Sequence, residues 1–108
     1  MIDIQYGLKS LGDNKHLFLK LRQSFLDNYK DFTNEVEFSF KNKKYMHYLI
    51  HTLKGFTKNL GMMELHEACI LIIDKILKHE CKEEDVSFFC MSFDKSYQAV
   101  LNLNPSSF

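Results

Sequence analysis

The sequence predicts an all-α protein, an antiparallel up-down four-helix bundle with a short extra N-terminal helix. Three observations carry that expectation. Apolar residues recur at steps of three and four along four stretches, the spacing that gathers them on one helix face. Punctuation is sparse, with one proline, Pro105, and four glycines, at 7, 12, 55 and 61, in 108 residues. The connections between the stretches run from two to about eight residues, as antiparallel neighbours in a bundle require. A chain of this length holds one core, so residues 1–104 are expected to form a single domain and 105–108 a short C-terminal tail.

The elements follow in order. A short helix around Ile4 to Leu11 can lay Tyr6 or Leu8 over one end of the bundle. The first long helix follows Gly12-Asp13, with Asp13 as N-cap, and carries Leu17, Leu21, Phe25 and Tyr29 on one stripe. Asn34 followed by Glu37 has capping-box spacing and predicts a short helical turn with Phe38 facing inward. Asn42 then caps a helix that runs to Leu60 and stops at Gly61, a favoured C′ residue. Its inward stripe is Met46, Leu49, Leu53, Phe56 and Leu60. The next helix, about Met63 to His79, presents Leu65, Ala68 with Cys69, Ile72 and Ile76, and closes on Lys78 and His79, cations suited to a C-terminus. The last opens on Glu83-Glu84-Asp85, carries Val86, Phe89 with Cys90, Phe93, Tyr97 and Val100 with Leu101, and ends before Pro105.

Apolar residues make up 45% of the chain and charged ones 26%, the balance of a globular protein. No apolar stretch approaches the roughly 18 to 20 residues that a membrane span needs, so no membrane insertion is expected. The opening Met1-Ile2-Asp3-Ile4 lacks the basic start and apolar centre of a signal peptide, so a cytoplasmic location is expected. Cys69, Cys81 and Cys90 are odd in number and without paired spacing, and they read as reduced structural thiols.

Lysine plus arginine balances aspartate plus glutamate at 14 each, so net charge names no partner, but its distribution does. From Phe38 to Met63 there are lysines at 41, 43, 44, 54 and 58, histidines at 47 and 51, and no acid. One basic sector on a neutral domain can steer an acidic partner surface. The chain has a single arginine and pI near 7, which argues against nucleic acid.

Helix residues advance by about 100° each, so His51 lies roughly 160 to 200° from Leu49 and Leu53, facing water. Lys44, His47, Lys54, Gly55 and Lys58 share its face at offsets of −7, −4, +3, +4 and +7. A neutral imidazole nitrogen is a nucleophile, a form that histidine populates around neutral pH. Once such a ring carries a phosphoryl group, with nearly two negative charges, lysines one and two turns away stabilise it electrostatically. Gly55 is the odd residue, since glycine inside a helix costs about 1 kcal/mol relative to alanine. Two readings remain open for it: access for a large partner to the imidazole, or relief of a close helix crossing.

The run His51-Thr52-Leu53-Lys54-Gly55, continuing through Asn59-Leu60-Gly61 to Leu65, resembles the signature of histidine-containing phosphotransfer domains. The likeness extends upstream to Gly7-Leu8, Leu11-Gly12-Asp13, Phe25 and Tyr29, and downstream to Ala68. Phe56 stands where the family commonly has a smaller residue, and Asn42 where an aspartate often opens the helix. The resemblance implies a four-helix bundle whose exposed histidine takes a phosphoryl group from an aspartate of a receiver domain and passes it to another receiver. It makes His51 the phosphoacceptor, Lys54 the phosphoryl-stabilising lysine and Gly55 the access glycine. It also implies no ATP site and no cofactor on this chain, any Mg²⁺ being held by the receiver. Expected partners are response-regulator receivers, among them that of a hybrid sensor histidine kinase, met by a monomer through Lys44, His47, Tyr48, Lys58 and Met62.

Blander readings stand beside these. His47 and His51 are spaced like a metal pair, but lysines surround them and no carboxylate is near, so no metal is expected. His66 reads as a surface residue, and Phe56 as a core residue continuing its stripe. Tyr48 is the better contact candidate. No glycine-rich phosphate loop supports a kinase, and no serine or cysteine motif supports a hydrolase. The rival from another class is an adaptor bundle that binds a receiver or other signalling partner without phosphotransfer.

Overall fold

The computed structural model describes residues 2–107, which fold into six α-helices with no strand among them. The helices are α1 (Ile4–Ser10), α2 (Lys15–Asn28), α3 (Phe32–Phe38), α4 (Lys43–Thr57), α5 (Met63–Leu77) and α6 (Glu83–Leu101). Single 3-10 turns follow at Ser39–Lys41 and Pro105–Ser107. Phe108, the last residue of the expected tail, lies outside the described residues. No helix among the described residues is long and apolar enough to cross a membrane.

Local chemistry explains where the helices begin and end. Asp3, Asn14 and Asn42 each accept a hydrogen bond on their side-chain oxygen from the backbone N–H three residues on, at 3.0, 3.0 and 3.1 Å. Asn42 is the cap expected for α4. Asp13 is not the cap of α2, because it sits at φ 60° directly after Gly12, inside the turn that closes α1, and Asn14 takes the role. Three turns close by the same device, a left-handed residue followed by an N–H that reaches back five residues. The pairs are Asp13 to Leu8, Met62 to Thr57 and Glu80 to Lys75, at 2.8, 2.8 and 2.9 Å, with Gly12, Gly61 and His79 in the left-handed position. α4 ends at Thr57, short of the expected Leu60, with Gly61 closing the turn that follows; α5 ends at Leu77, and His79, expected within it, closes its turn in the same way.

The apolar stripes meet in one core, in which α4 packs on α5, α5 on α6, and α2 and α3 on α6. At its aromatic end Phe25 stacks on Tyr29 at 5.3 Å, and Phe56 and Phe93 each pack tilted or edge-on against both, with ring centroids 5.5 to 6.3 Å away. Each such pair adds about 0.5–1.5 kcal/mol beyond the area it buries. Phe56 is half-buried in this group, as expected of a stripe residue. Two polar ties join α6 to α2. Arg22 donates to the carbonyls of Val100, Leu101 and Leu103, at and just past the end of α6, at 3.1 to 3.4 Å. Tyr97 donates its hydroxyl to the Leu26 carbonyl at 2.8 Å.

Three expected core positions point outward. The stripe of α2 begins at Phe18, fully buried, and not at Leu17, which lies about 100° round the helix and is 37% exposed. α3 starts at Phe32 behind Asp31, earlier than the Asn34-Glu37 spacing suggests, so Phe32 and Val36 face the core. Phe38, two residues past Val36, is turned away and is 92% exposed. Val100 is buried, while Leu101 beside it is exposed.

α1 is held against the end of α4 by backbone. Asp3 N–H donates to the Gly61 carbonyl at 2.8 Å. A Cβ on Gly61 would sit 1.9 Å from the Asp3 oxygen, and one on Gly7 would sit 2.9 Å from the Asn59 oxygen and from the Gly61 nitrogen. Only glycine lets these two segments approach so closely.

Candidate functional site

α4 divides into two faces. Met46, Leu49, Ile50, Leu53 and Thr57 are buried, while Lys44, Tyr48, His51, Gly55 and Lys58 are exposed. The outward placement of His51 follows from the 100° step between residues, as does its distance from the core stripe. Lys54 and His47 flank it half-buried. The His47 and His51 rings meet edge to face with centroids 6.1 Å apart. Tyr48 is 64% exposed and stacks on Tyr45 at 6.3 Å.

His51, Lys54, Gly55, Lys58, Asn59 and His66 line one open recess of about 310 Å³. Gly55 is bare there. A Cβ added to it meets nothing within 4 Å, so no neighbouring helix presses on this position and the helix-crossing explanation finds no contact to relieve. Asn59 ties the rim to α1, accepting from the Ser10 hydroxyl at 3.0 Å.

Two sequence expectations for this region are corrected. Met62 is not a surface contact: it is fully buried, because the chain turns at Gly61 and carries the next residue beneath the end of α4. His66 is not a surface residue either, being 7% exposed with Nδ1 2.8 Å from Thr57 Oγ1. The signal for His66 was present in the spacing. Met62 and Cys69, four residues before and three after it, are both buried core residues, so His66 lies on the same helical stripe.

The recess is lined by basic side chains, Lys54 and Lys58, beside two imidazoles. No acid occurs between Phe38 and Met63, and the ion pairs Lys75–Asp85 and Lys78–Asp74 lie towards the other end of α5. Burial holds the His66 imidazole below the ordinary histidine range, and the Lys58 and Lys54 ammonium groups push it the same way. Burial pushes the Cys69 and Cys90 thiols up to about 12, which leaves them protonated and unreactive at neutral pH. All three cysteines are free. Among the described residues no three His, Cys, Asp or Glu side chains gather into a metal-binding set.

An exposed imidazole nitrogen with cations around it and open backbone beside it can attack an electrophile and then hold the negative group it acquires. Set against protein-family models, curated proteins and solved structures, the chain matches none.

Proposed function

We propose that this chain is a histidine phosphotransfer module of a multistep two-component phosphorelay, with His51 as its phosphoryl carrier. The same proposal assigns the finer architecture: α2, α4, α5 and α6 form an antiparallel up-down four-helix bundle, with α1 as the extra N-terminal helix. One observation carries the reading. His51 stands on the water-facing side of α4 with Lys54 three residues on and unobstructed backbone at Gly55, all on one recess.

In the step proposed, an Nε2 lone pair of His51 attacks the phosphorus of a receiver's aspartyl phosphate. The N–P bond forms in line as the P–O bond breaks, and the electron pair leaves with the aspartate carboxylate. Lys54 and, at longer range, Lys58 offset the charge carried on the phosphoryl oxygens. The receiver supplies Mg²⁺ and the acidic pocket, and it docks over Lys44, His47 and Tyr48. The chain is then a carrier with no ATP site of its own, acting in the cytoplasm as a monomer.

Incubation with a phosphorylated receiver should give acid-labile, alkali-stable label on the wild type and none on His51→Gln. Equal label on both would overturn the assignment. Loss of label without loss of receiver binding or signalling would replace it with the adaptor reading.

A further inference from the structure

The recess beside His51 holds a second imidazole for which the phosphotransfer step has no task. His66 reaches it from the first turns of α5, nearly buried, with Nδ1 2.8 Å from Thr57 Oγ1. A hydroxyl has one proton to give, and that of Thr57 goes to the Lys54 carbonyl at 2.8 Å. Thr57 Oγ1 therefore accepts from His66, and Nδ1 carries the proton of the neutral ring. Nε2 is left as the lone-pair nitrogen, the atom at which the ring takes a second proton.

The charged groups acting on this ring come from two elements. Lys58, just past the end of α4, and Lys54 on it disfavour a further positive charge, and Glu67 on the ring's own helix favours one more weakly. His51 shares the recess. A phosphoryl group on His51 would bring nearly two negative charges into this space and offset the positive field that the two lysines impose.

We propose that His66 is a second phosphoryl-binding residue of this recess, neutral while His51 is bare and protonated at Nε2 once His51 carries the group. The inference rests on His51 being the phosphoacceptor. One proton is taken from solvent as the phosphoryl group arrives and returned as it leaves, so the loaded state is favoured as pH falls through the raised His66 midpoint.

The test uses the 108-residue chain with potassium phosphoramidate as phosphoryl donor, and follows the ring nitrogens by long-range ¹H–¹⁵N spectra between pH 5 and 8. Phosphorylation should raise the His66 midpoint by about one pH unit, a tenfold gain in proton affinity, and leave His16 and His79 unmoved. Phospho-His51 with an unmoved His66 midpoint would overturn this inference alone. Absence of phospho-His51 would overturn the carrier reading and this inference with it. His66→Asn provides a second readout, because its amide keeps a donor towards Thr57 while removing Nε2. The wild-type phosphoryl lifetime, divided by that of the variant, should grow about threefold from pH 8 to pH 6, the return of a modest ion pair. A ratio constant with pH would count against His66.

Discussion

Gly55 and Gly61 lie six residues apart at the same end of α4, and they are glycines for opposite reasons. The turn at Gly61 is a crowded place where backbone meets backbone, at φ 70° and with the Asp3 carbonyl where a side chain would go. The helix surface at Gly55 is empty, with ordinary helical geometry and nothing within 4 Å of a Cβ. The first position is required by the fold. The second lowers helix stability without any packing return, as the access role proposed for it requires. Glycine in a motif therefore carries two meanings, and the distance to the nearest atom tells them apart.

The contrast can be broken by substitution, and Gly61→Ala is the severest test. It adds left-handed strain to a backbone clash and should cost about 3 kcal/mol or more, read as a fall in the denaturation midpoint. Gly7→Ala, which presses on the same turn from α1, should cost about 1–3 kcal/mol through a backbone shift. Gly55→Ala should go the other way, raising stability by up to about 1 kcal/mol while slowing phosphoryl transfer from a receiver. An unchanged transfer rate would remove the access role and leave the glycine unexplained. The smallest effect concerns pH. Burial disfavours protonated His66 in the folded state, so the unfolded chain binds more protons, and stability falls as pH drops below about 6.5. His66→Asn should flatten that part of the stability profile, which acid titration of thermal unfolding would reveal.

How much of this was legible in the sequence differs by feature. The six helical stretches could be read because periodicity, Asn42 as a cap and Gly61 as a stop are local signals. The face of α4 could be read because a helix rotates by a fixed step, and His51, Lys54 and Gly55 fall together by arithmetic. What failed was resolved at a finer scale. Leu17 and Phe18 are adjacent apolar residues, and only tertiary packing decides which one faces inward. Phe38 was misplaced because Asp31 and Asn34 both resemble caps, and a shift of three residues rotates the expected face. Met62 depends on how the chain passes beneath the end of α4, a tertiary fact that no window of sequence contains. His66 is the instructive miss, since a polar residue on an apolar stripe reads as surface until a partner such as Thr57 is known.

The attachment of α1 has a consequence for divergence. Its grip on the rest of the molecule near Gly61 runs through main-chain atoms, the absence of side chains at Gly7 and Gly61, and one side-chain tie from Ser10 to Asn59. Gln5, Tyr6 and Lys9 all look outwards. Homologous chains could vary those three positions freely while keeping the helix seated, so the surface above this end of the molecule can evolve new contacts without disturbing the histidine recess beside it.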